Sequence, residues 1–261
     1  MNGILERTLA ILELLAAHPE GLALAALADR LDIPRSAVHR LLGDLARLGY
    51  VRQLRDFGDY ALTTRLVALG LNFLYSSGIV DIAQPALDRL AELSGELVRL
   101  AVLDGERLTF VARAQGARKG LRYDPDMGMD ARLSCTATGQ AWLLTLDDET
   151  ALQAVARQGF GKPEDYGPAA PTTVGALLAA LRLARERGWA GVSESAAPGM
   201  AALAAPIRTA GEPAIGAVVI AGPALRMTPE RMAALAPDLL AVAAELAVAS
   251  GASRLFHKPP A

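Results

Sequence analysis

The chain has 261 residues, 52% of them hydrophobic and 21% charged, with a formal net charge of −2. That length accommodates two domains with cores of their own, and the near-neutral balance excludes a protein that holds nucleic acid through bulk positive charge. The one cysteine, Cys135, excludes an internal disulfide framework and suits a reducing compartment.

The first sixty residues hold three helical patterns and a hairpin. MNGILERTLAILELL is apolar but carries Glu6, Arg7 and Glu13 in place of a basic n-region and cleavage site, so it does not read as a signal peptide. Leu5, Leu9, Leu12 and Ala16 recur at helical spacing, widened by Ile11, Leu14 and Leu15, and the helix stops at His18-Pro19-Glu20-Gly21. Ala25, Leu27, Ala28 and Leu31 make a short second helix. After the turn Asp32-Ile33-Pro34 a third helix runs to Leu48, with Pro34 expected at its first helical position and Gly49 as its stop. YVRQL and DYALT read as short strands around Arg55-Asp56-Phe57-Gly58. Helix, helix, turn, helix, hairpin is the order of a winged helix-turn-helix, expected over residues 1–63.

Residues 64–78 read as a connector, helical from Thr64 to about Tyr75 and broken at Ser76-Ser77-Gly78. Residues 79–255 read as a second domain. It opens with a helix from Ile82 to Leu93, with Pro85 in its first turns. LVRLAVL, Asp104-Gly105 and RLTFVARA form a hairpin whose Asp-Gly pair favours a type I′ turn. GLRYDP is a further strand candidate, and CTATGQAWLLTL, DDETALQAVARQ and TTVGALLAALRLARERG read as helices. GWAGVSES, ALAAPIRTA and AIGAVVIAG are three strand candidates, with Gly211-Glu212-Pro213 turning between the last two. Thr228 caps the last helix, with Pro229 at its first position. That helix carries the most membrane-like run, LAPDLLAVAAELAVASGA, but Asp238 and Glu245 interrupt it, so no uncharged run reaches the ~20 residues of a span. The fold class is α+β: an N-terminal winged helix-turn-helix plus a C-terminal domain with a largely antiparallel sheet. A cytoplasmic protein with no membrane partner is expected.

In a helix-turn-helix the N-terminal residues of the second helix of the motif face base edges in the major groove. Here these are Arg35, Ser36, His39 and Arg40, while Val38, Leu41, Leu42 and Leu45 form the inward stripe. An arginine reads guanine bidentately, and a serine bonds a base edge or a phosphate. His39 is open between a base contact and a satisfied, partly buried histidine. Five of the seven arginines before Thr63 lie between Arg35 and Arg55, with Asp44 as the only acid in that span. Arg52 and Arg55 thus extend a local basic face onto the wing. In a near-neutral domain such a face gives weak non-specific binding and leaves specificity to placed contacts.

These residues resemble the IclR-type transcriptional regulators. The N-terminal likeness is LERTLAILELLAAHPEGLALAALADRLDIPRSAVHRLLGDLARLGYVRQ; the C-terminal one is ATGQAWLL, GWAGVSESAAPGMAALAAPI and GAVVIAGP. The resemblance spans nearly the whole chain. It implies a GAF-like effector-binding second domain, a homodimer or dimer of dimers, a near-palindromic double-stranded DNA operator, and a small organic acid or aromatic catabolite as effector. It places Arg35, Ser36, His39 and Arg40 at the start of the recognition helix. It places the effector pocket at Ser134, Cys135, Thr136, Ala137, Thr138 and Gly139, on the strand after Trp189 at Ser193, and at Met200, Ala202 and Leu203. Orphan N–H groups at a helix start there suit an anion, with Thr136 and Thr138 as hydroxyl donors. Phe110, Tyr123, Met127, Met129, Trp142 and Met200 are candidates for an apolar wall, although each is more often core. The sequence departs from the family at the second helix, which lacks a serine or threonine cap, at Gln140, where lysine is common, and at Ala202, where cysteine is common.

An enzyme is the main rival class. His18, His39 and His257 pair with no acid at triad or ligand spacing, and there is no phosphate loop or Cys/His metal cluster, so no cofactor is expected. Cys135 near a helix start is the residue that an enzyme or redox-sensor reading would use; a small buried cysteine beside the pocket is the plainer reading. A pure protein-interaction module is a third reading, and self-association is the simplest partner for the connector's apolar face.

Overall fold

The computed structural model describes residues 3–55, 58–123, 125, 128, 130–161 and 163–250. The chain divides into two compact units, residues 1–76 and 77–261.

The first unit is built on α1 (Ile4–Ala16), α2 (Leu24–Leu31) and α3 (Arg35–Arg47), followed by β1 (Val51–Gln53), β2 (Tyr60–Leu62) and α4 (Arg65–Ser77), which crosses its boundary by one residue. Ile11, Leu15, Leu27, Val38, Leu41, Leu42 and Leu45 form its core. The inner edge of α1 is therefore Ile11 and Leu15, and the expected stripe through Leu5 and Leu9 lies outside, with Leu5 78% exposed. The sequence of α1 is apolar on two sides, and packing on α2 and β2 selects one of them. His18 ties α1 to α2: Arg30, a donor only, gives to its Nε2 at 2.7 Å, which leaves Nδ1–H to donate to the Leu14 carbonyl at 2.8 Å. Pro34 is the N-cap of α3, not its first helical residue as expected, because its ψ of 136° is extended. Its carbonyl accepts from the amides of Ala37 and Val38. β1 and β2 pair antiparallel with Val51 opposite Leu62. The expected turn residues Asp56 and Phe57 lie outside the described residues.

The second unit holds a five-stranded sheet in the order β4-β3-β7-β6-β5, antiparallel throughout. Its strands are β3 (Leu97–Asp104), β4 (Arg107–Gln115), β5 (Ala190–Ser193), β6 (Met200–Ile207) and β7 (Gly216–Pro223). The helices α5 (Ile79–Ser94) and α9 (Pro229–Ala249) pack on each other and on the sheet. The other face carries α6 (Ala137–Leu143), α7 (Asp148–Gln158) and α8 (Val174–Arg187), closed over Ala101, Ala204, Ala217 and Val219. α9 is the one described helix long and apolar enough to cross a membrane, and its side chains from Met232 to Ala247 that face the domain are buried against α5 and the sheet. Thr228 caps it through the Arg231 amide, with Pro229 at the start.

Two expectations fail here. The hairpin turn is Gly105-Glu106, not Asp104-Gly105: Asp104 pairs with Arg107, and only Gly105 of the two loop residues takes positive φ (60°). Glycine alone at the first central position is II′ rather than I′ chemistry. GLRYDP forms no strand among its described residues, because side chains take up its backbone. Arg226 donates to the Leu121 carbonyl and Gln115 to that of Tyr123, at 2.9 and 3.1 Å.

Candidate nucleic-acid face and effector cavity

The split of α3 into two faces is complete. Val38, Leu41, Leu42 and Leu45 are buried, while Arg35, Ser36, His39 and Arg40 are exposed at its N-terminal half. His39 is thus not a satisfied interior histidine. Arg35 makes only a loose ion pair to Asp29 at 3.9 Å between two largely exposed side chains. Arg52 on β1 and Arg55 after it are exposed too, and among the described residues no ion pair engages Arg40, Arg52 or Arg55. Arg47, at the far end of α3, pairs with Asp44 at 3.1 Å. Among the described residues, the cations with a loose ion pair or none thus lie in the N-terminal half of α3 and on the hairpin, and the closely paired Arg47 lies at the other end of the helix.

In the second unit a cavity of about 360 Å³ opens between the sheet face and the segment that leads into α6. Strand parity decides what lines it. Arg99 stands opposite Val219, Ala221 opposite Ala202, and Ala202 opposite Val192, and all five side chains reach the cavity. Phe110, Tyr123, Met200 and the run Cys135–Thr138 complete much of the wall.

Of the residues expected at the pocket, Cys135, Thr136, Ala137, Thr138, Met200 and Ala202 line it; Ser134, Gly139, Ser193 and Leu203 do not. Ser193 and Leu203 have the opposite parity from Val192 and Ala202 and point to the other side of the sheet. Ser134 is buried and its carbonyl accepts from the Gln140 side chain at 2.8 Å. Gly139 is packed on Leu133, where an added Cβ would sit 2.4 Å from that residue's Cα. The expected orphan amides are also partly used. Thr136, the N-cap, accepts from the Gly139 amide through Oγ1 and from the Gln140 amide through its carbonyl, and its hydroxyl donates to the Arg132 carbonyl at 2.6 Å. Its hydroxyl is thus spent on structure. Among the wall candidates Phe110, Tyr123 and Met200 reach the cavity and Trp142 belongs to the core; Met127 and Met129 lie outside the described residues, as does His257.

The Cys135 segment is fixed by Ser195, whose Oγ donates to the Cys135 carbonyl at 2.7 Å. Cys135 is 1% exposed. Burial pushes its thiol pKa up to about 11, more than nearby Arg132 and local hydrogen bonds lower it. The nucleophilic thiolate that a redox or enzymatic role needs is thereby disfavoured.

Arg99 was not among the sequence candidates. It is 7% exposed, its guanidinium lies 3.6 Å from the centroid of the Phe110 ring, and its Nε is buried with no hydrogen-bond partner. Desolvation holds its pKa below the usual guanidinium value; Arg113 adds to this and Tyr123 opposes it. The signal available in the sequence was its position two residues from both Leu97 and Ala101 in a strand, which gives all three one face.

Residues 4–55 match the IclR helix-turn-helix domain, and residues 71–248 match the bacterial transcriptional regulator IclR C-terminal domain. The HTH-type transcriptional regulator BhcR of Paracoccus denitrificans is 33% identical over 93% of this chain and 85% of its own length. The transcriptional repressor IclR of Escherichia coli is 30% identical over 96% and 90%. Among solved structures, an IclR transcriptional regulator from Alicyclobacillus acidocaldarius superposes with a TM-score of 0.81 at 22% identity, over 95% of this chain and 98% of that one. An IclR homolog from Microbacterium hydrocarbonoxydans, complexed with 4-hydroxybenzoate, gives 0.78 at 21%, over 96% and 100%.

Proposed function

The chain belongs to the IclR family of DNA-binding transcriptional regulators with a C-terminal effector domain, and from that premise we propose that it binds a near-palindromic operator as a dimer or dimer of dimers and releases or grips it in response to a small organic acid or aromatic catabolite. The observation that carries the DNA side is the division of α3, whose inner stripe is buried while Arg35, Ser36, His39 and Arg40 are exposed. In this reading those four side chains meet base edges and nearby phosphates, and Arg52 and Arg55 meet the backbone beside them. Two copies double a contact set that one near-neutral domain supplies only thinly. Reading such an operator implies a cytoplasmic protein.

The cavity supports the effector side. Its size falls at the lower end of small-molecule sites, and its walls are mainly apolar with a few polar groups, as such sites require. The Microbacterium homolog's 4-hydroxybenzoate, a ring bearing a carboxylate, is of a kind this cavity suits. Cys135, Thr136, Ala137, Thr138, Met200 and Ala202 are the proposed contacts. Binding there changes operator affinity only if the ligand prefers one arrangement of the dimer, and α4, which joins the two units in the chain, is the proposed carrier of that preference.

Gel shifts with promoter fragments from the protein's own genomic neighbourhood test the reading. Retarded complexes of defined stoichiometry that respond to a carboxylate are expected. Failure to retard every fragment, with and without candidate acids, sinks it.

A further inference from the structure

We propose that Arg99 is the anion-recognition residue of the effector cavity, and that it selects a ligand with one carboxylate on an apolar body. This rests on the cavity being the effector site.

The physical case begins with the cost of the residue. A buried guanidinium loses its hydration, and proteins ordinarily answer that loss with a paired carboxylate. Arg99 has none: among the described residues no ion pair engages it, and Nε lacks even a neutral acceptor. Tyr123 is the hydrogen-bonding side chain beside it. Two carboxylates line the cavity: Asp130 is committed elsewhere, accepting from Arg107 Nε and from Thr109 Oγ1, each at 2.7 Å, and Asp165 is exposed to solvent. What holds Arg99 in place is therefore its stack on Phe110 and its hydrogen bond with Tyr123, with no carboxylate paired to it among the described residues. A flat, preset fork of N–H donors at the wall of an apolar cavity is a receptor for a planar oxyanion. Of the rest of the wall, Arg132 and Asp165 are exposed, and the inner side chains specify the body: Met200, Val192 and Val219 offer no charge and little hydrogen bonding. A two-carbon acid would satisfy the fork and leave most of the 360 Å³ unfilled, whereas a ring or a six-carbon chain would satisfy both.

The test uses the full chain and four probes: benzoate and benzamide, hexanoate and hexanamide. Each acid and its amide have nearly the same shape and differ in charge. Calorimetric titration of the wild type is expected to give at least one acid binding roughly tenfold or more tighter than its amide, the range of a charge-assisted pair. Arg99→Gln is expected to lose that acid preference while keeping the amide affinity, and Arg99→Lys, which keeps the charge and loses the fork, to retain part of it. Equal binding of acid and amide to the wild type overturns the role of Arg99 and leaves the cavity as the effector site. Acid binding to Arg99→Gln as tight as to the wild type does the same. No binding of any probe overturns the ligand class, and operator binding by the same preparation then shows that the regulator reading survives. The acid-to-amide comparison needs no variant, so a misfolded Arg99→Gln leaves the proposal exposed to failure.

Discussion

Arg35 shows how little structure depends on the proposed DNA contacts. It occupies the first helical position of α3, and its one ion pair, to Asp29, is long and exposed, a kind of pair that contributes little to stability. Arg35→Ala is therefore expected to change stability by no more than about 0.5 kcal/mol, seen as an unmoved chemical-denaturation midpoint. On an operator it is expected to lose ~1–3 kcal/mol of discrimination at one base pair, measured by fluorescence anisotropy against a set of single-base variants. A loss spread equally over all sequences would instead make Arg35 a phosphate contact. This half of the site was legible in the sequence because exposure followed from helical periodicity: Val38, Leu41, Leu42 and Leu45 fix the inner face, so Arg35, Ser36, His39 and Arg40 are left outside. Arg99 was not legible in that way. Strand parity puts it with Leu97 and Ala101, but nothing in LVRLAVL says which sheet face is roofed by α6 and holds the cavity.

At the level of elements, the α6 entry shows where spacing misleads. The run SCTATGQ has hydroxyls at Ser134, Thr136 and Thr138, any of which suits a helix start. The structure uses Thr136 as the cap, so Thr138 turns to the cavity and Gly139 is driven against the Leu133 backbone. That approach needs a residue without a side chain. Gly139→Ala would place a Cβ 2.4 Å from Leu133 Cα and 2.5 Å from the Arg132 carbonyl oxygen, both backbone atoms that cannot swing aside. The expected cost is about 1–3 kcal/mol, read as a fall of several degrees in Tm by calorimetry. An unchanged Tm would show that the segment shifts freely, against its anchoring by the Ser195–Cys135 hydrogen bond. The failed GLRYDP strand has a related cause. Its apolar and aromatic residues fit a strand, but its carbonyls are met by the side chains of Gln115 and of Arg226, the latter too far away in sequence for a local pattern to reveal.

At the scale of the whole molecule the unanswered surface is α4. Val67, Leu69, Leu71, Phe73 and Tyr75 are all exposed, Phe73 at 65%, and Ser77 is the only described residue of α4 that is buried. The spacing of these side chains puts them on more than one side of the helix, so no single neighbour within one copy would cover them. A 13-residue helix is marginal in water without packing. Ile4, Leu5 and Leu9 on α1 add a second apolar strip in the same unit. A second copy, as in the proposed dimer, would cover these helices, and a self-complementary two-fold contact is the simplest way to do it. The periodicity of RLVALGLNFLY announced a helix with an apolar face, while the exposure of Val67, Leu69, Leu71, Phe73 and Tyr75 emerges only from the fold. The double substitution Leu71→Asp and Phe73→Asp touches no buried core of the single copy, so its helical circular dichroism outside α4 and the ligand binding of the second unit are expected to persist. Sedimentation velocity is expected to shift from dimer or tetramer to monomer at micromolar concentration. Operator affinity is expected to fall to the level of one isolated half-site, because the second set of Arg35 and Arg40 contacts is no longer delivered with the first. An oligomer of unchanged sedimentation coefficient would remove α4 from the interface and leave the strip on α1 to account for assembly.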